Sequence, residues 1–443
     1  MVRRKLIWLC IIGILTVNVP GKDLPGKQLV DTQLYTEIGQ MLIIGFGGLQ
    51  QDEDGKILWD DRNNIQFKED ALIAKHIANN HVGGIILFTQ PLRDINTRVF
   101  IRDRNVQNPK QVAKLNQNLQ DYNSKVRKEQ GLEVLPLFIG IDQEGGIIDR
   151  LPPSHGFSVP TVLPQALGAQ EERFLAGIHC QGARHARSVI SLKKLALEQT
   201  YKYAKKMAKE LRAVNFNLNF APVVDVNISP LNPIIGRLGR SFSSCPQVVV
   251  NQAEQFIRAF REQKIVAVLK HFPGHGSSLQ DSHLGLVDVT TTYQKDKELY
   301  PYFSLITAGY PGMIMTAHVI NGQLDDTQCK NGSPGDHTTW CPGTMSQKTL
   351  TGLLRNTMGF NGIIVSDDMT MGAITREYTL SEALQHAINA GIDIFIVANN
   401  SADQTDMVIN TIAQLVVTGA VKREKITAAY RRIVNFKKKY LLS

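Results

Sequence analysis

The chain has 443 residues, of which 43% are hydrophobic and 20% charged, so it is long enough for one large domain or two medium ones. Its formal net charge of +9 is spread along the sequence, without the aromatic-interleaved basic stripe that nucleic-acid binders show. The composition therefore indicates a globular protein with no nucleic-acid partner.

The chain opens with cations at positions 3, 4 and 5, followed by an apolar run over residues 6–17. This is the layout of a secretory signal, and the run is shorter than a typical membrane-spanning helix of about 20 residues. Thr16, Asn18 and Pro20 do not form a good cleavage site, so residues 1–21 are predicted to be a cleaved signal peptide or an uncleaved anchor held by residues 6–17. We expect an exported protein, periplasmic or secreted, whose folded part covers residues 22–443.

Eight short apolar runs recur along the chain, each followed by turn residues and then by a segment of helical period. Such alternation is typical of βα units with buried parallel strands. The runs cover residues 41–46, 84–88, 137–141, 218–226, 265–270, 313–317, 362–366 and 392–398. Because no glycine-rich dinucleotide fingerprint follows the first run, these units favour a single α/β (β/α)8 barrel of the TIM type over a doubly wound sheet.

A barrel of this kind usually has about 250 residues, so several loops must be enlarged. The candidates are residues 51–70, 93–112 and 173–194, together with the loop between Cys329 and Cys341. A disulfide between these two cysteines would close a loop rich in glycine, proline and asparagine, and two unpaired thiols are the alternative. Leaving out Cys10 in the apolar run, the chain has an even number of cysteines, which fits an oxidising compartment.

Polar side chains stand at the ends of several predicted strands, where a barrel places its catalytic residues. They are Asp142 and Arg150 after the third run, Asp225 in the fourth, Lys270 and His271 at the fifth, His318 after the sixth, and Asp367 and Asp368 after the seventh. Taken singly, such an acid often caps a helix and such a histidine is usually a structural residue. Their joint placement on one face of a barrel indicates acid-base or nucleophilic chemistry.

A zinc site formed by His271, His275, His283 and His318 is the competing interpretation. The spacing of these histidines matches no compact ligand set, the sequence has no HExxH pattern, and the neighbouring Lys270 would repel a cation. We therefore expect no metal and no other cofactor.

The segment KHFPGHGSSLQDSH, residues 270–283, matches the pattern K-H-F-P-G-x-G-x4-D-x-H. This pattern is the signature of the β-N-acetylglucosaminidase (β-hexosaminidase) branch of glycoside hydrolase family 3. Further matching segments follow in the family's order, namely IDQEGGIIDR, NFAPVVDVN, GRSF, MTAHV and SDDM. The chain resembles this branch over about residues 34–437, which implies a catalytic barrel that hydrolyses terminal, non-reducing GlcNAc.

The resemblance also implies residue roles. Asp367 would be the nucleophile of a retaining mechanism, and His283, partnered by Asp281, would be its acid and base. Imidazole titrates near neutral pH, so it can donate a proton in one step and accept one in the next, while a carboxylate holds its tautomer. The implied sugar-binding set is Asp142, Arg150, Arg240, Lys270 and His271.

The proline and glycines of the signature are expected to make a loop that moves His283 over the sugar and withdraws it. The residues concerned are Pro273, Gly274 and Gly276. The resemblance assigns no role to His275.

The leading hypothesis is an exported, retaining exo-β-N-acetylglucosaminidase acting on GlcNAc-containing glycans such as peptidoglycan or chitin fragments. A β-glucosidase of the same family is one alternative. An N-acetylglucosaminide phosphorylase is another, because a histidine tolerates an incoming phosphate better than a carboxylate does. A non-catalytic carbohydrate-binding protein is the alternative from outside enzymology.

Overall fold

The structure is a computed structural model that describes residues 31–47, 49–51, 57–60, 67–69, 71–89, 104–181, 186–310, 312–330, 336–398 and 403–442. The predicted signal at residues 1–21 lies outside this part of the chain, as do most of the predicted loops at 51–70 and 93–112. Residues 33–443 form one compact unit. None of the helices in the described ranges is long and apolar enough to cross a membrane.

Eight parallel strands close into a barrel and follow one another around it in chain order. The barrel strands are β1 (Leu42–Ile44), β4 (Gly84–Ile86), β5 (Phe138–Ile141), β6 (Leu218–Asn219), β7 (Val266–Phe272), β9 (Met313–Thr316), β11 (Ile363–Asp368) and β12 (Ile394–Val397). Outside the barrel, β2 (Leu49–Gln51) pairs with β3 (Ile57–Asp60), and β8 (Val287–Asp288) pairs with β10 (Val319–Ile320). Each predicted run contributes one barrel strand, so the predicted (β/α)8 fold is confirmed.

Helices precede the first strand and connect or follow the others. They are α1 (Thr32–Gln40), α2 (Leu72–Asn80), α3 (Pro109–Glu129), α4 (Pro164–Gln181), α5 (Ala186–Ala213), α6 (Pro246–Glu262), α7 (Lys295–Glu298), α8 (Tyr300–Thr307), α9 (Gly372–Thr375), α10 (Leu380–Ala390), α11 (Gln404–Val417) and α12 (Arg423–Tyr440). A π-helical segment, Lys348–Thr357, takes the helix position after β9. The parallel strands are thereby covered on the outside, as buried parallel sheets require.

The fourth barrel strand is much shorter than the predicted run over residues 218–226. Regular pairing ends at Asn219, because Pro222 has no N–H to donate to a neighbouring strand. The segment nevertheless stays beside β7, where Val224 donates its N–H to the carbonyl oxygen of Lys270 at 2.8 Å. This irregular stretch carries Asp225 into the barrel mouth.

Residues 173–194 are not an enlarged loop where the structure describes them, so that prediction is wrong for this region. They belong to the end of α4 and the start of α5. The sequence from residue 186 to residue 213 contains neither glycine nor proline and is rich in alanine, leucine, lysine and glutamate, which are strong helix formers. The extra length between the third and fourth barrel strands is therefore helical.

The barrel strands are built from apolar residues that are almost completely buried, such as Ile141, Val268 and Ile314. Burial of this apolar surface is the main favourable term in folding. Packing on both faces fixes the backbone of each strand, so the polar residues at the strand ends are held in defined positions.

Candidate active site

A cluster of four charged side chains lies at the carboxyl ends of β5 and β7. Nζ of Lys270 is 2.7 Å from Oδ1 of Asp142 and 2.7 Å from Oε1 of Glu144. Arg240 binds the same Glu144 carboxylate, donating from Nη2 at 2.7 Å and from Nε at 2.8 Å. The side chain of Asp142 is 20% exposed, whereas that of Lys270 is 3% exposed. Asp142 is therefore the accessible member of a buried set with two positive and two negative charges.

Neighbouring charges keep Glu144 and Lys270 ionised. Burial alone would raise the pKa of Glu144, but the adjacent Arg240 and Lys270 outweigh it and hold the pKa well below its ordinary range. Burial alone would lower the pKa of Lys270, and the two carboxylates beside it raise the pKa instead. The cluster therefore keeps charged hydrogen-bond donors and acceptors at neutral pH, which bind hydroxyl groups more strongly than neutral ones do.

Asp225 connects two histidines of the KHFPGHG segment. Its Oδ2 lies 2.7 Å from Nδ1 of His271, and its Oδ1 accepts hydrogen bonds from the backbone N–H groups of His271 at 3.2 Å and His275 at 2.8 Å. Burial alone would raise the pKa of Asp225, but His271 outweighs it and the pKa is lowered. With Nδ1 engaged by this carboxylate, Nε2 of His271 lies 3.5 Å from Nη2 of Arg240.

Asp367 lies near the end of β11 and is half-buried. Its Oδ1 accepts a hydrogen bond from the backbone N–H of Asp368 at 2.8 Å. Burial alone would raise the pKa of Asp367, but the charges of His271, His318 and His283 outweigh it and lower the pKa. The carboxylate is therefore ionised at neutral pH, as a nucleophile or an electrostatic stabiliser needs to be.

His318 and Asp368 fix the backbone around Asp367. His318 is fully buried, with Nδ1 2.8 Å from the hydroxyl of Thr344 and Nε2 3.1 Å from the carbonyl oxygen of Asp368. Oδ1 of Asp368 accepts hydrogen bonds from the N–H groups of Thr370 at 3.0 Å and Ala398 at 3.1 Å. Asp368 therefore joins the end of β11 to the residue after β12. This contact goes beyond a helix cap, which is the usual role of an acid at the end of a strand.

Asp281 and His283 form a hydrogen-bonded pair in the segment that follows β7. Nδ1 of His283 lies 2.8 Å from Oδ1 of Asp281, which also accepts the backbone N–H of His283 at 2.9 Å. The His283 side chain is 61% exposed. The hydrogen bond to Asp281 raises the pKa of His283 above its ordinary value, so part of the imidazole stays protonated at neutral pH. The positive charge of His283 contributes to lowering the pKa of Asp367. The segment is joined to the residues that follow β11, because Gly372 donates its N–H to the carbonyl oxygen of His283 at 3.1 Å.

The glycines of the KHFPGHG segment have packing roles. A Cβ on Gly276 would lie 1.7 Å from the carbonyl oxygen of Val226, and Gly274 has a φ of 134° beside Glu298. Gly276 also donates its N–H to Oε2 of Glu298 at 3.1 Å. Gly276 therefore allows a close approach of buried backbone, and Gly274 lies against the side chain of Glu298. Movement of this loop stays a prediction. Of residues 279–285, Ser282 alone is buried.

Arg150 is the predicted sugar-binding residue with the fewest contacts to the others. Its backbone N–H donates to Oε1 of Gln143 at 2.7 Å, and its carbonyl oxygen accepts from Thr89. Its guanidinium Nε is buried and has no hydrogen-bond partner among the described residues. A sugar-binding role for Arg150 therefore stays a prediction.

A disulfide joins Cys329 to Cys341, the pairing that the sequence analysis predicts. Two ion pairs join the described ends of this loop to other parts of the chain. Nζ of Lys330 is 2.7 Å from Oε2 of Glu377, which follows α9. Nδ1 of His337 is 3.1 Å from Oδ2 of Asp288 in β8. Cys245 is a free cysteine of the described part. The described ends of the disulfide loop thus contact Glu377 and Asp288.

Glu144 was not among the predicted site residues, whereas Asp225 and His318 were singled out at strand ends without an individual role. Glu144 lies two residues after Asp142 at the end of a barrel strand, so its strand-end position was the signal that could have found it. Across the described residues, no group of three or more His, Cys, Asp or Glu side chains is arranged to hold a metal ion. His271, His275 and His318 instead contact carboxylate, hydroxyl or backbone groups.

The fold and the site fit an enzyme that works by acid-base or nucleophilic chemistry. The barrel places the ionised carboxylate of Asp367 and the hydrogen-bonded Asp281–His283 pair after its strands. The family model described as "Glycosyl hydrolase family 3 N terminal domain" matches residues 33–436. The chain belongs to glycoside hydrolase family 3.

Curated relatives of the chain carry the name β-hexosaminidase. "Beta-hexosaminidase A" of Pseudoalteromonas piscicida is 33% identical over 374 residues, which are 83% of this chain and 55% of that protein. The chain therefore spans about half the length of that relative. "Beta-hexosaminidase" of Shewanella frigidimarina is 31% identical over 72% of this chain and 76% of that protein.

Solved structures share the fold. A family 3 β-N-acetylglucosaminidase from Paenibacillus sp. is 29% identical, with a TM-score of 0.69, and the match covers 92% of this chain and 63% of that one. A β-N-acetylhexosaminidase from Beutenbergia cavernae, at 21% identity and a TM-score of 0.68, matches 91% of this chain and 98% of that one. The second match supports the fold alone.

Proposed function

We propose that this protein is a retaining exo-β-N-acetylglucosaminidase that hydrolyses terminal, non-reducing GlcNAc from an oligosaccharide or glycan. The proposal depends chiefly on the 2.8 Å hydrogen bond between Asp281 and His283. A hydrogen bond of 3.1 Å from the N–H of Gly372 to the carbonyl oxygen of His283 joins this pair to the residues that follow Asp367. The β-hexosaminidase names of the relatives supply the sugar class. Peptidoglycan and chitin fragments are the substrates that we propose.

In the first chemical step, a carboxylate oxygen of Asp367 attacks the anomeric carbon while His283 donates a proton to the departing glycosidic oxygen. Asp281 holds Nδ1 of His283, which leaves Nε2 to face the substrate. The raised pKa of His283 keeps part of the imidazole in the acid form. The products are a glycosyl ester of Asp367, the released aglycone and a neutral His283.

In the second step, neutral His283 takes a proton from a water molecule, whose oxygen attacks the anomeric carbon. The ester bond to Asp367 breaks and the carboxylate is restored, so two displacements return the original anomeric configuration. Asp281 stabilises the imidazolium that forms each time. One histidine can serve as acid and then as base because imidazole titrates near neutral pH.

The buried charged cluster is the proposed floor of the sugar pocket. Asp142, Lys270, Arg240 and His271 would bind the sugar hydroxyls, with Asp142 as the most accessible acceptor of the cluster. Such a site discriminates strongly against a sugar that lacks a matching hydroxyl, because buried polar groups are then left unpaired. We propose Arg150 as a further contributor.

The test combines two variants with a substrate panel. Asp367→Asn and His283→Ala should each abolish release of the aryl alcohol from an aryl β-N-acetylglucosaminide while the protein remains folded by circular dichroism. The matched control is His337→Ala, since His337 also pairs with an aspartate, at 3.1 Å, but outside the proposed dyad. Full activity of Asp367→Asn would disprove the mechanism.

The panel consists of aryl N-acetylglucosaminide, N-acetylgalactosaminide and glucoside, each measured with and without phosphate. We expect the N-acetylglucosaminide to react fastest and phosphate to leave the product unchanged. Preference for the glucoside would assign the β-glucosidase alternative instead. Formation of a sugar phosphate would assign the phosphorylase alternative.

We also propose that the protein works outside the cytoplasm, in the periplasm or as a secreted enzyme. The cations and the apolar run over residues 6–17 support export. The disulfide between Cys329 and Cys341 fits an oxidising compartment. Cell fractionation of the full chain tests this: recovery of the protein only in the cytoplasm, with free thiols, would contradict it.

A further inference from the structure

His275 is a buried histidine with no part in the chemistry proposed above. It is 2% exposed, and its Nε2 lies 3.1 Å from the hydroxyl oxygen of Ser282. Ser282 is the residue between Asp281 and His283 and is itself 2% exposed. The imidazole of His275 therefore contacts the residue that lies between Asp281 and His283 in the sequence.

Hydrogen bonds from three other residues hold the backbone of His275 and Gly276 in place. Its N–H donates to Oδ1 of Asp225 at 2.8 Å, and its carbonyl oxygen accepts from Nδ2 of Asn232 at 2.6 Å. The next residue, Gly276, donates to Glu298 at 3.1 Å. Asp225 also binds the side chain of His271. The same carboxylate therefore holds His271, a proposed sugar-binding residue, and the backbone of His275.

Ser282 is the buried exception in an otherwise exposed segment. Leu279 is 62% exposed and Leu284 is 50% exposed, and a Cβ on Gly285 would meet nothing within 4 Å. Backbone contacts to α9 help to hold the segment, because Ala373 donates its N–H to the carbonyl oxygen of Ser282 at 3.1 Å. The Ser282 hydroxyl adds a side-chain hydrogen bond between this segment and the buried His275.

Burial lowers the pKa of His275 to about 4, and the neighbouring His271 acts in the same direction. At neutral pH the His275 ring is uncharged and does not repel a protonated His283. A neutral imidazole offers one donor and one acceptor, and a serine hydroxyl can satisfy either. Nδ1 of His275 has no hydrogen-bond partner among the described residues, so Ser282 is the partner that the ring has there.

We propose that His275 and Ser282 form a latch that holds the Asp281–His283 pair in position for proton transfer. Both are positioning residues, and the inference rests on the proposed function, since it supposes that His283 is the acid and base. A group that transfers a proton must lie within hydrogen-bond reach of its target. A displacement of about 1 Å can cost a hundredfold in rate, so one hydrogen bond at this point has a kinetic effect.

The test uses aryl β-N-acetylglucosaminides whose leaving groups differ in acidity. A nitrophenolate departs with little proton donation, whereas a methoxyphenolate needs the acid. Ser282→Ala and His275→Leu should each lower kcat/KM about tenfold for the methoxyphenyl substrate, the order of one hydrogen bond, and change it less than about twofold for the nitrophenyl substrate. His275→Gln, which keeps a polar group near the position of Nε2, should restore part of the loss.

A double-mutant cycle isolates the latch from other effects. The His275→Leu/Ser282→Ala variant should be no slower than the slower single variant, because both remove the same hydrogen bond. His76→Leu is the matched control, since His76 is also a buried histidine, in α2, far along the chain from the dyad. It should leave the dependence of kcat/KM on the leaving group unchanged, even where it lowers thermal stability.

Equal losses for both substrates, additive losses in the double variant, or wild-type rates in both single variants would overturn the latch. If His275→Leu fails to fold, Ser282→Ala decides the question, because it deletes one oxygen from the loop. Asp367→Asn, measured in parallel, separates the two proposals. Its inactivity together with wild-type behaviour of Ser282→Ala rejects the latch alone, whereas its full activity rejects the catalytic assignment.

Discussion

Glu144 and Arg240 are joined by two parallel hydrogen bonds, of 2.7 Å from Nη2 and 2.8 Å from Nε. The same carboxylate lies 2.7 Å from Nζ of Lys270. A planar guanidinium matches a carboxylate in this two-pronged geometry, which fixes the orientation of both groups. Glu144 is therefore the central anion that orients two cations of the proposed sugar pocket.

Replacement of Glu144 by glutamine should destabilise the fold by about 3–5 kcal/mol, because it leaves Arg240 and Lys270 buried with one carboxylate fewer. Denaturant unfolding measures this loss. We also expect a higher KM for the sugar, since both cations lose their orientation. Asp142→Asn is the comparison: this carboxylate is 20% exposed, so the loss of stability should be smaller. An unchanged unfolding midpoint for Glu144→Gln would contradict the central role of this carboxylate.

The dependence of activity on pH should respond to the Asp281 carboxylate. In the folded protein this carboxylate raises the pKa of His283, so the acid form of His283 persists to higher pH than that of an isolated imidazole. Asp281→Asn removes the negative charge and should move the basic limb of the kcat/KM profile to lower pH. The profile reports the pKa values of the free enzyme. Asp288→Asn, at the other exposed His–Asp pair, should leave this limb in place, and a shift to higher pH in Asp281→Asn would contradict the assignment.

Removal of the disulfide should lower stability. Cys329 and Cys341 are 12 residues apart, and closing a loop of this size stabilises a fold by about 2–3 kcal/mol in the chain-entropy account. We expect Cys329→Ser/Cys341→Ser to lower the melting temperature, and a reducing agent to lower that of the wild type but not that of the double variant. Cys245→Ser, at the free cysteine, is the control. Equal melting of the wild type with and without reductant would show that the bond does not stabilise the fold.

The barrel could be predicted from the sequence because each strand is a separate local signal. Val266–Phe272 and Ile394–Val397, for example, are short apolar runs followed by polar turns and helical segments. Pro222 shortened β6, and the described residues of the predicted loop at 173–194 belong to α4 and α5. Both corrections have a local cause. Proline has no N–H to continue strand pairing, and a run of strong helix formers favours a helix over a loop.

The candidate site was predicted less completely. The resemblance of the KHFPGHGSSLQDSH segment to the family 3 signature named Asp281 and His283 as candidates. Neither spacing nor composition showed that Glu144 holds Arg240, which is 96 residues away in the sequence. The sequence alone assigned no role to His275, because its contact with Ser282 is visible only in the folded loop.

By itself, the sequence determined the eight strands, because apolar periodicity is a local property, and its resemblance to the family 3 motifs supplied the candidates for the nucleophile and the dyad. The tertiary structure decided which charges pair, which glycines touch backbone and what supports the dyad. These depend on distances between segments far apart in the chain. Burial raises the pKa of an acid such as Glu144 and lowers that of a base such as His275. For Glu144 the neighbouring Arg240 and Lys270 outweigh burial and lower the pKa, and only the fold brings those neighbours together.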